Sequence, residues 1–244
     1  MSIRILLTTA LALTLSQAAV AADYPQALAD RPVVVFKGML EARGDLGISL
    51  SNGTAFKGYD IGGALRYGFT DDLEGRIALN PGLGICIDCG GTSLSGLNIG
   101  GYYALARGSF STAVHGNVVT GPFDPFYFGV QVGLRSQLQM DRFWIGFDPT
   151  LQLNLTPSGN LVSILVPVRL SYNFTPEWAP YILTGLNIGS FDPFGLSVPL
   201  GLGVMYSPSN MFDLGAQFTF NSLITNNGGS ADSRSLGLYA AFRL

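Results

Sequence analysis

Histidine occurs once in 244 residues, cysteine twice, and charged side chains make up only 12% of the chain. One imidazole and two thiols cannot assemble the four-ligand set of a structural zinc site. With 13 basic against 16 acidic residues and no basic run, there is no electrostatic footprint for nucleic acid. A soluble domain would carry about 25% charged residues, so an ordinary soluble globule is disfavoured. Long apolar runs are equally scarce. Beyond residues 5–15, nothing approaches the roughly 18 residues that a membrane-spanning helix needs. No phosphate-cradling glycine motif, calcium loop or solenoid repeat is present, and no cofactor or metal is expected.

What the chain does contain points elsewhere. The start is basic at Arg4, residues 5–15 are apolar, and Ala19-Val20-Ala21 supplies small residues where a signal peptidase reads. Residues 1–22 are therefore expected to be a cleaved Sec-type signal peptide, with no cysteine placed for lipid anchoring. Loss of Arg4 leaves 12 bases against 16 acids, a charge of −4 before histidine. Residues 23–37 form an N-terminal periplasmic segment or plug, in which the run Pro32-Val33-Val34-Val35-Phe36 either extends the first strand or folds inward. Residues 38–244 form the remaining domain.

The full chain is 48% hydrophobic, with 32 glycines and 16 phenylalanines, yet residues 38–244 hold no apolar run long enough for a spanning helix. In hydrocarbon only helices and closed barrels satisfy every backbone polar group, so strands facing lipid are implied. Alternation supplies the test. Tyr59, Ile61, Leu65, Tyr67 and Phe69 alternate with Asp60, Gly62, Ala64 and Arg66. Phe143, Ile145, Phe147, Leu151 and Leu153 alternate with Asp148, Thr150, Gln152 and Asn154, and ten further stretches obey the same rule. A transmembrane strand needs about 9–11 such residues, apolar outward and polar inward. Twelve segments predict an all-β, transmembrane, antiparallel up-and-down barrel of 12 strands.

Charge position checks this parity, which was set from apolar residues alone. Glu41, Asp45, Asp60, Glu74, Asp148 and Asp213, with Arg43, Arg66, Arg76, Arg135, Arg169 and Arg243, all fall on the inward side. A basic residue facing mid-bilayer lipid would cost about 2–4 kcal/mol. Nine of these (Glu41, Arg43, Arg66, Glu74, Arg76, Arg135, Arg169, Asp213 and Arg243) group towards one end as a lumen charge ring. Bases outnumber acids there, which favours anions if water reaches the ring. The competing reading is a neutralised packing network.

The chain resembles Gram-negative outer-membrane barrels as a class. Its Leu236–Leu244 stretch is similar to their C-terminal insertion signal, although it closes on Leu244 where an aromatic is usual. The resemblance implies an integral outer-membrane location and contact with outer-membrane lipids and lipopolysaccharide. It also implies insertion by the barrel assembly machinery. It identifies no functional subfamily and no oligomeric state.

Individual residues add little chemistry. Cys86-Ile87-Asp88-Cys89 lies in a surface loop without the βαβ setting of a thioredoxin-like site, so a loop-stiffening disulfide is expected. His115 has inward parity and Asn117 stands two residues on, whereas outer-membrane lipid hydrolases present His and Ser to lipid. The chain is not read as an enzyme. Phe-Asp-Pro recurs at residues 123–125, 147–149 and 191–193 as turn chemistry.

Pro149, Pro167, Pro180 and Pro199 fall inside four consecutive strands, the seventh to the tenth, where proline cannot donate to the ladder. They mark either bulges that curve the wall or a lateral seam beside an apolar inner face. Inward glycines such as Gly133, Gly203 and Gly215 are expected to leave space in the lumen. The leading functional expectation is a narrow pore or substrate channel for small polar or anionic solutes. The alternatives are a channel for hydrophobic molecules with lateral exit, a closed structural barrel and, last, a lipid hydrolase.

Overall fold

A computed structural model describes residues 23–244 except 54, 87–90, 95, 124–125, 157–161, 192–193 and 227–230. The side chains of residues 80–83, 86, 91–94, 122–123, 126, 190–191 and 194 are likewise outside the description. Residues 1–22 and Cys89 therefore lie outside the described residues, and with them the signal peptide and the Cys86–Cys89 disulfide.

Fourteen β-segments follow one short 3-10 turn at Leu28–Asp30. They are β1 (Leu40–Ser49), β2 (Gly58–Gly68), β3 (Leu73–Cys86), β4 (Gly91–Leu94), β5 (Leu97–Ala106), β6 (Phe110–Phe123) and β7 (Phe126–Met140). Then come β8 (Phe143–Phe147), β9 (Thr150–Asn154), β10 (Val162–Tyr172), β11 (Trp178–Phe191), β12 (Phe194–Ser209), β13 (Phe212–Thr225) and β14 (Arg234–Arg243). β8 and β9 both bridge β7 to β10, so they are one wall strand broken at Asp148-Pro149. The short β4 pairs with β3 ahead of β5, which pairs further down the same strand. The result is a closed antiparallel barrel of 12 strands, sealed where β14 pairs with β1 from Glu41↔Arg243 to Ser49↔Ser235. Strand number, direction and closure agree with the alternation in the sequence.

The two faces separate cleanly. Ile61, Leu65, Ile77, Ile99, Val114, Leu134 and Leu202 are exposed on the outer face. Inward positions of the wall are buried, including Glu41, Glu74, His115, Asn117, Gln137 and Asp213. This inversion of a soluble protein's pattern suits a lipid exterior. At the short-turn end, Trp178 stacks on Tyr206 at 4.5 Å, and Tyr67–Phe69 and Tyr172–Phe174 meet edge-on. These exposed and half-buried rings form an aromatic band at that end, as an interfacial girdle would. One tight turn there places Asp141 at φ 52°, a left-handed conformation that aspartate tolerates.

Residues 23–39 do not continue β1. They cross the interior at the short-turn end, packing Leu28 against Tyr181, Met205 and Tyr239 of one wall. Val33 and Val34 pack against Tyr102, Ala104 and Ala113 of the opposite wall. The segment then returns to β2 through a parallel bridge at Lys37↔Gly68. Its backbone polar groups are met by inward side chains. Asn173 Oδ1 accepts from the Ala29 N–H at 3.1 Å, and Gln137 and Gln139 donate to the Arg31 carbonyl at 2.6 and 3.0 Å. Such satisfaction is what buried irregular backbone requires.

Candidate functional site in the barrel lumen

The nine charges of the expected ring divide into two tiers. In the first, carboxylate and guanidinium alternate along one unbroken chain. Glu74 receives Arg66 in two bonds of 2.6 and 2.7 Å, and Arg66 also reaches Glu41 at 2.8 Å. Arg243 joins Glu41 at 2.8 Å to Asp213, which in turn takes Arg31 through two bonds of 2.7 and 2.8 Å. Three acids thus meet three bases, and the tier is neutral. Both ends belong to the N-terminal segment, because Glu74 also accepts from the Val35 N–H at 3.0 Å.

Arg31 is the member that sequence reading did not single out. It precedes the strands, so no alternation assigned it a side. Its one signal was its place at the head of the apolar Pro-Val-Val-Val-Phe run, which Lys37 closes.

The second tier surrounds a cavity of about 820 Å3 above that floor. Arg43, Arg135 and Arg169 lie over the rings of Tyr239, Tyr102 and Tyr181 at 4.2, 3.9 and 4.5 Å. Each placement follows from the sheet. Tyr239 is the register partner of Asp45, two residues from Arg43, and Tyr181 is the diagonal neighbour of Arg169. Arg135 reaches Tyr102 across β6 because its register partner there is Ala113, whose methyl does not block the way.

Stacking holds the guanidinium plane while its edge N–H groups stay available. Arg43 spends part of its fork on Asp45, and Arg135 lies 3.5 Å from Asp148. Arg76 donates to the Tyr102 hydroxyl at 3.0 Å. Arg76 and Arg169 make no ion pair among the described residues.

The inward glycines do not leave the expected space. A Cβ at Gly203 would enter the Tyr181 ring, one at Gly215 the Tyr239 ring, and one at Gly133 the His115 imidazole. Neighbouring rings occupy those positions, so the lumen is narrower than glycine count alone implies.

His115 is buried, with Nε2 2.9 Å from Asp148 Oδ1 and 3.3 Å from Thr150 Oγ1. Its Nδ1 lies 3.0 Å from Asn117 Nδ2. An activated nucleophile needs the nitrogen that the orienting carboxylate leaves free. Here carboxylate and hydroxyl share Nε2, and Nδ1 accepts the amide, so neither nitrogen is left to activate a hydroxyl. Tyr102 packs beside the imidazole at 4.9 Å.

Pro149 and Pro199 lie at interruptions of the ladder; Pro167 is paired without a break to β11 but faces the Asp148-Pro149 break on its other side, and Pro180 lies in an unbroken register with β12. Pairing of β11 with β12 lapses between Thr184↔Leu200 and Asn187↔Ser197. Pro167 pairs with Gly185, and Pro199 falls in that gap, so the break at Asp148-Pro149 continues as one row around the wall. Of the Phe-Asp-Pro copies only 147–149 is fully described, and it forms this strand break.

Neither a family model nor a curated protein matches the sequence. Solved structures do match in fold. The COG4313 outer membrane channel from Pseudomonas putida F1 aligns with a TM-score of 0.61 at 13% identity, over 84% of this chain and 95% of that one. The NanC porin gives 0.60 at 10% identity, over 84% and 100%. The KdgM porin gives 0.58 at 7% identity, over 84% and 98%. The chain has the fold of outer-membrane β-barrels.

Proposed function

We propose that this barrel is an outer-membrane passage for small anionic solutes, floored by residues 23–39. The observation that carries the proposal is the residual charge of the larger cavity. Outside the neutral chain its lining holds Arg43, Arg76, Arg135, Arg169 and Arg234 against Asp45, Asp60 and Asp148. Stacked, edge-on guanidinium groups present N–H forks that match carboxylate or phosphate oxygens. Facing charges of one sign focus the field in a narrow, low-dielectric lumen. A KdgM porin of similar fold was solved in complex with disordered oligogalacturonate. That likeness is one of fold, so the arginines bear the argument.

Reversal potentials across a planar bilayer in a salt gradient test it. Anion preference is expected, and Arg135→Glu with Arg169→Glu should weaken or invert it. Cation preference of the unaltered chain would contradict the proposal. Lack of any conductance, with the floor docked or released, would favour a closed structural barrel.

A further inference from the structure

A second lumen cavity, of about 570 Å3, meets the first where Arg76, Asp148 and Pro167 line both. Its volume falls within the about 300–1,000 Å3 usual for ligand sites. Its two sides differ in what they offer a solute.

One side is polar but engaged with itself. Asn98 Nδ2 donates to Gln131 Oε1 at 3.0 Å, and Gln131 Nε2 donates to Gln152 Oε1 at 2.7 Å. Gln152 Nε2 donates to the Tyr127 hydroxyl at 2.5 Å, which donates onward to Asn154 Oδ1. Beside this directed chain, Asn117 Nδ2 lies 3.0 Å from His115 Nδ1. The acceptors left over, Asn98 Oδ1 and Asn117 Oδ1, are sealed within the wall and do not reach the cavity.

The other side is apolar and open. Alternation along β10 turns Leu165, Pro167 and Arg169 inward as one row, with Val166 and Val168 towards lipid. Leu165 lines the second cavity, Pro167 both, and Arg169 the first, so the row crosses the junction. Pro167 is exposed although it points into the barrel, and Leu165 and Pro199 are half-buried. At about 3.3 Å per residue the row is about 13 Å long. It ends on a charge. Arg169 lies over the Tyr181 ring at 4.5 Å and makes no hydrogen bond or ion pair among the described residues. None of its nitrogens is among the sealed, unpartnered atoms, so the guanidinium is open to the lumen. The nearby carboxylate of Asp148 is tied to Arg135 at 3.5 Å.

We propose that this row binds a monocarboxylate carried on a compact hydrocarbon body, its carboxylate on Arg169 and its body against Pro167 and Leu165. The inference rests on the anion-passage reading and names its substrate class. A sugar acid suits Arg169 equally well, but its hydroxyls would lose water against leucine and proline side chains that return no hydrogen bond. The amides opposite do not make up that loss, because their bonds are already made. A neutral hydrocarbon suits the row and leaves the guanidinium unpaired. A hydrocarbon cation is repelled by Arg76 and Arg169.

The test is calorimetric titration of the purified full chain with cyclohexanecarboxylate, D-glucuronate and cyclohexylmethanol, with the heat into protein-free micelles subtracted. The first two share a six-membered ring and one carboxylate and differ in hydroxyls. The third keeps the hydrocarbon ring without the charge. Saturable heat is expected with cyclohexanecarboxylate, and binding weaker by about tenfold or more with the other two. Arg169→Gln and Leu165→Ser should each weaken the carboxylate severalfold. Glucuronate or the alcohol binding as tightly, or no saturable heat with cyclohexanecarboxylate, would overturn the inference. Reversal potentials in a chloride gradient separate the two failures. Anion preference without discrimination among the probes overturns this inference alone, whereas cation preference overturns the passage reading and this inference with it. The probe comparison uses the unaltered chain, so a variant that fails to fold does not affect it.

Discussion

Arg31 and Asp213, 182 residues apart, meet in a two-bond ion pair that completes a chain of alternating charge across the lumen floor. Arg31 also binds Ser207 Oγ at 3.0 Å. Through both contacts Arg31 ties the N-terminal segment to the strand wall. Arg31→Ala should cost the docked segment about 1.5–3 kcal/mol, the range for hydrogen bonds to a charged group. Release would be read by maleimide labelling of a Val34→Cys reporter with Cys86 and Cys89 replaced by serine. Val34 is only 2% exposed when docked. Faster labelling and larger single-channel conductance are expected together. Unchanged labelling would show that the pair does not hold the segment.

Tyr24 makes the same docking sensitive to alkali. Burial pushes its phenol above the ordinary value near 10, and the neighbouring Arg31 and Arg243 only partly oppose that rise. The folded state therefore favours the neutral phenol. The docking free energy is fully present below about pH 10 and declines as pH rises towards the elevated folded value. Labelling of the Val34→Cys reporter should accelerate above pH 10, after correction for thiolate reactivity. Tyr24→Phe should abolish that acceleration. An identical alkaline response in Tyr24→Phe would assign it to another group.

Parity was legible in the sequence because lipid and lumen make opposite demands on successive residues. That is why Glu41, Arg66 and Asp213 could be placed inward before any coordinates. Their partnership could not, since it depends on which strands curl to face each other and on a segment outside the alternation. The ring's excess of bases lies wholly in the second tier, because the three acids and two bases of the first are brought to neutrality by Arg31. The amides of Asn98, Gln131 and Gln152 were legible as inward polar residues. Only register aligned them into a directed chain.

Glycine shows the same limit, and it can be measured. Tyr239 and Gly215 are register partners, as are Tyr181 and Gly203, and each ring lies where a glycine Cβ would stand. Gly215→Ala and Gly203→Ala should each destabilise the barrel by about 1–3 kcal/mol through overpacking. Gly44→Ala, where a Cβ meets nothing within 4 Å, should be neutral or slightly stabilising. Urea unfolding in lipid vesicles compares the three. Equal effects at Gly44 and Gly215 would contradict the ring-over-glycine packing.

Cys86 and Cys89 are proposed to pair, on the grounds of their spacing and an oxidising exterior. Neither thiol should react with maleimide in native membranes until a reductant is added. Immediate labelling of both would exclude the disulfide.

The proline row offers the sharpest choice between two uses of one structure. Proline supplies no N–H, so Pro149 and Pro199 leave acceptors unmatched where the ladder lapses. In a closed barrel such lapses serve either to bend the wall or to open it sideways. The unbroken register of β10 with β11 on both sides of Pro167 favours bending. Pairing also lapses beside Asp148-Pro149 and at Val198/Leu200 against β13, and the β11–β12 gap, between Leu186 and Val198, is one place along the row where a lateral exit would form. A Leu186→Cys/Val198→Cys disulfide would lock it. Under the bending reading, locked and reduced barrels should take up a hydrophobic fluorescent probe at the same rate. If locking slows uptake severalfold, the row is an exit and the bending account fails.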